Sequence, residues 1–282
     1  MPELPEVETV RRMLEAHVMG RKVKSVGLSG LRLRSAVAPA AMRSLAGRRI
    51  TSIGRRGKYL FVNFEGGRTL LSHLGMSGRW LFSENAPRDR LGHVHATIRF
   101  QDSSVLRYQD PRRFGLLRVV PTDALEIAKE LQGLGPDPVR EPLSGEDLAK
   151  RARGRRVSIK AFLLDQRQLA GIGNIYASEI LHRARVHPAR PAGRVAGDQW
   201  TGIAEATRAV LGEAIDRSGT TFSMYRTLWN EPGNYGDQLR VYDRGGQPCR
   251  TCGTPIRRVV QGQRSTFYCP SCQPREPGRR KK

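Results

Sequence analysis

The sequence predicts an α+β chain in two domains: a strand-rich N-terminal half, then a helical C-terminal half that ends in a metal-held hairpin. Three observations predict it. Between residues 22 and 120 apolar and polar residues alternate, as in Val94, Ala96, Ile98 and Phe100, at the period of two that marks half-buried strands. From residue 145 four successive stretches carry a helical pattern instead. Near the end, Cys249-x2-Cys252-x16-Cys269-x2-Cys272 sets two pairs of thiols at the spacing of a four-cysteine zinc site.

The elements follow in order. Residues 3–18 read as a short lead and a helix: Pro5 suits the first turn, Glu6 and Glu8 suit the positive end of the dipole, and Val7, Val10, Leu14 and Val18 form one apolar stripe. Strand patterns then run over 48–64, 68–82 and 94–106, with Asp102-Ser103-Ser104 as a turn. Short strands separated by glycine and polar turns make a β-sandwich or a barrel. Gly133-Leu134-Gly135-Pro136-Asp137-Pro138 is a linker. Helices are predicted over 145–153, 158–165, 175–184 and 198–216. Between the second and third, Ala170-Gly171-Ile172-Gly173-Asn174 makes a tight turn with Asn174 as N-cap, either a phosphate site or a plain helix–helix turn. Residues 256–260 and 265–268 are two strands with Arg264 near the tip between them, and 275–282 is a basic tail. The predicted boundaries are 1–135, 136–240, 241–274 and 275–282.

Composition narrows the function. The 282 residues hold 49 Lys and Arg against 26 Asp and Glu, a net charge of +23, which points to a polyanionic partner. A basic surface for solubility or for anionic lipid would look similar, but the charge is spread through folded-looking segments rather than held in a tail. No apolar run reaches the length of a membrane span and no signal-peptide pattern opens the chain, so a soluble cytoplasmic protein is expected. Reducing conditions there favour one structural Zn2+ on the four cysteines over disulfides. Such a closed site leaves no coordination position open for catalysis.

The start of the chain carries the most chemistry. Loss of Met1 would expose Pro2 as a secondary amine, with the Glu3 carboxylate beside it. Amines attack carbonyl carbons to form Schiff bases, and a secondary amine gives an iminium that has no N–H proton to lose. The positive end of the first helix would hold that amine partly neutral, as a nucleophile requires.

Six motifs occur together and in order: MPELPEVET at the start, GRRGKYL around Lys58, HLGMSG around Met76, DPRRFG around Arg112 and Phe114, GIGNIYASE around Asn174, and the four cysteines. From Pro2 to Cys272 the chain resembles the bacterial formamidopyrimidine-DNA glycosylases. The resemblance implies an N-terminal β-sandwich and a C-terminal domain with a helix–two-turn–helix and a zinc finger, with DNA in the cleft between them. It implies removal of oxidised purines such as 8-oxoguanine and formamidopyrimidines from double-stranded DNA, and β,δ-elimination at abasic sites by a monomer.

The implied roles fall on Pro2 as nucleophile, Glu3 as acid at the sugar ring oxygen, Lys58 in proton transfer and phosphate contact, and Arg264 in the second elimination. Met76, Arg112 and Phe114 would fill the void left by the flipped base, with Arg112 pairing the orphaned opposite base. Asn174, His93, Arg155 and Lys160 match DNA-binding positions, although Arg155 stands where a lysine is expected. His73, His95 and His187 are assigned no role. The extension past Cys272 departs from the family, and residues 218–238, in the place of its lesion-capping loop, have no spacing that converts into base readout. Two alternatives remain: an endonuclease VIII-type enzyme for oxidised pyrimidines, against which Leu4 and the Met76, Arg112, Phe114 set argue, and a non-catalytic zinc-ribbon nucleic-acid-binding protein.

Overall fold

The first helix, α1 (Leu4–Val18), begins where Pro5 supplies a preset φ, and it buries Val7, Val10, Leu14 and Val18 as one stripe. The structure is a computed structural model that describes residues 1–85, 91–220 and 226–275. It divides into two units, Met1–Gly133 with Ala214–Gly236, and Leu134–Glu213 with Asp237–Lys282.

In the first unit α1 is followed by β1 (Val23–Leu28), the short α2 (Pro39–Arg43), β2 (Ile50–Arg56), β3 (Tyr59–Phe64), β4 (Arg68–His73), β5 (Arg79–Ser83), β6 (Val94–Phe100), β7 (Val105–Gln109) and β8 (Leu116–Pro121). They form two four-stranded sheets, in the orders β1-β6-β7-β5 and β2-β3-β4-β8, with every pair antiparallel. Leu60, Val62, Leu70 and Leu117 of one sheet and Trp80, Ile98, Phe100 and Tyr108 of the other share one core with α1, which is the sandwich. Two polar bonds cross it: the Trp80 indole N–H donates to Ser72 Oγ at 3.1 Å, and the Tyr108 hydroxyl to the His73 carbonyl at 3.2 Å. Both side chains are almost fully buried, so these bonds satisfy polar groups that would otherwise cost stability.

Ala214–Gly236 belongs to this unit although the sequence reading placed it within 136–240. Leu228 sits in the sandwich core, and its carbonyl accepts the Phe82 N–H at 3.1 Å. Trp229 packs edge-on against His17 and Phe82, and Asn230 accepts from Arg79 at 2.8 Å. Residues 221–225 of the 218–238 segment lie outside the described residues, as does the tail after Arg275.

The second unit holds α3 (Gly145–Ala152), α4 (Ile159–Leu164), α5 (Asn174–Arg183), α6 (Gly197–Asp216, whose last turn counts with the first unit), β9 (Arg257–Gln261) and β10 (Arg264–Tyr268). Ser144 and Ser158 cap α3 and α4, accepting from Asp147 N and Ala161 N, worth about 1 kcal/mol each. The hairpin turn is shorter than the sequence suggested. Only Gly262 and Gln263 make it, both at positive φ (51° and 61°), so Arg264 pairs with Gln261 as the first residue of β10.

Candidate active site and zinc centre

Glu3 and Glu6 build the start of α1 as a reciprocal capping box, with the Glu3 N–H donating to Glu6 Oε2 at 2.7 Å. Glu6 spends its other oxygen on the Thr220 N–H at 2.8 Å, tying the returning segment to the same spot. Pro2 and Glu3 are both buried at the positive end of the helix. The terminal amine, carried here by Met1, is held below its ordinary pKa chiefly by burial. The Lys58 and Arg112 cations lower it further, and Glu3 and Glu6 oppose them.

Lys58 shares that environment. It lies in the two-residue turn between β2 and β3, with Gly57 at φ 56°, a conformation that glycine adopts without strain. Lys58 is only 6% exposed. Arg55, fully buried, donates from Nε to Glu8 Oε2 and from a terminal nitrogen to the Gly57 carbonyl, both at 2.9 Å, so a buried ion pair links α1 to the Lys58 turn. Burial alone would raise the Glu8 pKa, but the hydrogen bond and charge of Arg55, with Arg11, hold it below the usual value.

Met76 and Phe114, at 39% and 47% exposed, are among the few large apolar side chains left open to solvent, each in a glycine-bounded loop. The Arg112 guanidinium lies over the Phe114 ring, 4.9 Å from its centroid. His93, at φ 61°, stands at the entrance to β6, and its carbonyl accepts the Asp110 N–H. The first unit thus carries Pro2, Glu3 and Lys58, the three loop residues and His93.

A second group forms in the other unit. Asn174 is the first residue of α5 and not its cap, because Gly173 takes that place. The Asn174 amide reaches across to donate from Nδ2 to the Ser265 carbonyl at 3.0 Å, while its Oδ1, the atom that would cap, is buried with no hydrogen-bond partner among the described residues. The ammonium of Lys160, which is 2% exposed, donates to the same carbonyl at 3.0 Å and to Thr266 Oγ1 at 2.7 Å. Lys160 is therefore committed to the hairpin rather than to the surface, and with Asn174 it fixes the backbone beside Arg264. Arg264, Lys160, Ser158 and Gln261 line a small cleft of about 270 Å³. Arg155 stands apart from this group, its Nε donating to the Arg151 carbonyl.

The four cysteines are free thiols whose sulphurs all lie within 4.8 Å of one another. Three of the separations are 3.4 Å (Cys252 to Cys269), 3.5 Å (Cys252 to Cys272) and 3.9 Å (Cys249 to Cys272). Tetrahedral zinc with Zn–S near 2.3 Å needs sulphurs about 3.8 Å apart, so Cys249, Cys252, Cys269 and Cys272 fit one structural ion. The Thr251 and Cys272 amides donate to Cys249 and Cys269 sulphur at 3.4 Å, as thiolate ligands require.

Sequence reasoning missed several residues. His73 accepts the Gly75 N–H on Nδ1 at 2.9 Å, and burial, with Lys58 and Arg34 nearby, lowers its pKa to about 3. His182 Nε2 lies 3.5 Å from Cys249 sulphur. Glu179, buried in α5, accepts three consecutive amides, Arg240, Val241 and Tyr242, at 2.8–2.9 Å, which docks the lead into the zinc segment. The Glu3-x-x-Glu6 spacing of the capping box was visible in the sequence; the others had no local signal.

Known proteins share this arrangement. The formamidopyrimidine-DNA glycosylase N-terminal domain matches residues 1–117, the H2TH domain of the same enzymes matches 134–226, and the zinc finger found in FPG and IleRS matches 246–275. The formamidopyrimidine-DNA glycosylase of Methylococcus capsulatus is 44% identical over 97% of this chain and all of its own length. That of Bordetella pertussis is 45% identical over 98% of this chain and all of its own. Among solved structures, Lactococcus lactis Fpg in complex with DNA containing an abasic site superposes with a TM-score of 0.88 at 32% identity, covering 97% of this chain and all of that one. The Fpg protein of Thermus thermophilus superposes at 0.85 with 38% identity, over 98% of this chain and all of its own. With the sandwich, the buried Pro2 and Glu3 and the four-cysteine hairpin in place, the chain belongs to the formamidopyrimidine-DNA glycosylase family.

Proposed function

We propose that this protein excises oxidised purines from double-stranded DNA and then cuts the strand by β- and δ-elimination, with Pro2 as nucleophile. One observation carries the reading: Pro2 and Glu3 are buried together at the start of α1, and the amine one residue ahead of them, that of Met1, is held below its ordinary pKa by burial and by the nearby Lys58 and Arg112 cations. Once Met1 is removed, the Pro2 nitrogen attacks C1′ of the damaged nucleoside and the base leaves. Glu3 protonates the ring oxygen as the sugar opens, and the nitrogen lone pair forms the iminium. Loss of a C2′ proton then expels the 3′ phosphate, and a second elimination expels the 5′ phosphate. Lys58 would serve proton transfer, while Arg264, on the backbone braced by Asn174 and Lys160, would hold a phosphate for the second cut. His93, Arg112 and Arg155 would add contacts to the DNA, and Met76, Arg112 and Phe114 would occupy the gap in the stack. The net charge of +23 suits the duplex.

We propose a cytoplasmic, monomeric enzyme; the relatives named above are bacterial, and no helix among the described residues is long and apolar enough to cross a membrane. The test is strand nicking at a single 8-oxoguanine, with thymine glycol as comparison substrate and borohydride present to trap the adduct. A covalent DNA link on Pro2 and preference for 8-oxoguanine are expected, and a protein acylated at that nitrogen should neither excise nor cut, since an amide nitrogen is not nucleophilic. A trapped adduct from the acylated protein would move the nucleophile elsewhere, to Lys58 first. Preference for thymine glycol would favour the pyrimidine-directed reading.

A further inference from the structure

Asp110 is a fully buried carboxylate between the loops that carry Met76 and Arg112, and the chemistry described above does not use it. Its side chain accepts two hydrogen bonds, from the Ser77 hydroxyl at 2.5 Å on Oδ1 and from the Gly115 N–H at 2.7 Å on Oδ2. Ser77, itself 2% exposed, turns its lone pair to the Arg112 N–H at 3.1 Å. The loop that carries Met76 is thereby bonded through one hydroxyl to the loop that carries Arg112 and Phe114. The backbone of Asp110 extends the connection: its N–H donates to the His93 carbonyl, and its carbonyl accepts the Arg113 N–H and a bond from His95 Nε2.

Packing closes what the hydrogen bonds begin. A side chain at Gly75 would lie 2.5 Å from the Phe114 backbone, and one at Gly115 would meet the Tyr108 hydroxyl at 1.7 Å. The two loops therefore touch backbone to backbone at Gly75, and neither can shift without the other.

We propose that Asp110 and Ser77 are positioning residues that lock the two loops into one wedge, so that Met76, Arg112 and Phe114 enter the base stack as a single preorganised body. This rests on the reading of those three as the void-filling residues. A wedge that is already ordered pays little conformational entropy on insertion, whereas two independent loops would each have to be ordered against the stack. The carboxylate suits the latch because it accepts from both loops and donates to neither.

The test uses the full protein, with 2-aminopurine next to an 8-oxoguanine as a reporter of unstacking, and cleavage of an abasic site in single-stranded DNA, which has no stack to enter. Ser77→Ala leaves the Arg112 N–H and Asp110 Oδ1 without their shared partner. Asp110→Asn sets an amide N–H2 against a donor at one of its two bonds. Both should lose most of the 2-aminopurine rise and about ten- to a hundredfold of lesion excision in duplex, with a dulled opposite-base preference. Ser77→Ala should cut the single-stranded abasic site at the parent rate. Equal losses on both substrates, or a parent-like 2-aminopurine signal in Ser77→Ala, would overturn the latch. Met76→Ala/Phe114→Ala is the control. If that variant abolishes the signal while Ser77→Ala keeps it, the wedge stands and the latch falls; if it too keeps the signal, the void-filling reading fails and takes the latch with it.

Discussion

Arg55→Met removes the cation from the buried pair that joins α1 to the Lys58 turn while keeping an unbranched apolar side chain in its place. The guanidinium is wholly buried, and it donates to Glu8 and to the Gly57 carbonyl. Breaking one partner of a buried ion pair costs about 3–5 kcal/mol, mostly because the other charge is left buried without its match. Here the low end applies, since Glu8 retains Arg11 at 3.0 Å and Arg12 at 3.2 Å. A loss of about 3 kcal/mol in a unit of this size lowers the melting temperature by roughly 6–12 °C.

The double variant Glu8→Leu/Arg55→Met removes both charges and should recover much of that loss, because a matched apolar pair is close to neutral in such sites. Thermal and urea unfolding of the parent, both single variants and the double variant give the coupling directly. The functional arm is a borohydride-trapping time course at a preformed abasic site. Trapping should slow in Arg55→Met, because the Gly57 carbonyl beside Lys58 has lost its bond from the Arg55 guanidinium. A melting temperature within about 1 °C of the parent in Arg55→Met, or a double variant as unstable as the sum of the singles, would refute this account of the pair.

Further outcomes are expected. Cys249→Ser should release the zinc and weaken duplex binding while leaving the sandwich folded, and His182→Leu should hasten zinc loss to a chelator by removing a partner of Cys249; both are read by metal analysis and a chelator dye. His73 has a folded pKa near 3, below the ordinary 6.5, so its contribution to stability is complete above 6.5 and is lost as pH falls through that window, at about 1.4 kcal/mol per pH unit. Urea midpoints at pH 7 and 5 should therefore differ less in His73→Leu than in the parent. Binding to undamaged duplex should fall linearly on a log–log plot against salt, each phosphate contact adding a slope of about −0.9. Arg112→Ala should instead blunt the opposite-base preference, measured as lesion excision against each of the four opposing bases.

What the sequence determined by itself is what depends on neighbours along the chain. The C-x2-C pairs placed all four zinc ligands, because a knuckle is closed by residues within one turn. Alternation at Val94, Ala96, Ile98 and Phe100 placed β6, and the stripe on Val7, Val10, Leu14 and Val18 placed the buried face of α1, because period is a property of a single element. Tertiary structure decided the rest. Alternation says which face of a strand is buried and nothing about its partner, so the order β1-β6-β7-β5 was not readable. Nor was the return of Leu228 and Trp229 to a sandwich begun some two hundred residues earlier. Asn174 looked like a cap and Lys160 like a DNA-binding cation, yet both donate to a strand about a hundred residues away. A lysine's composition is the same whether its ammonium meets water, phosphate or a buried carbonyl, and only the packing of α4 and α5 against β10 decides which.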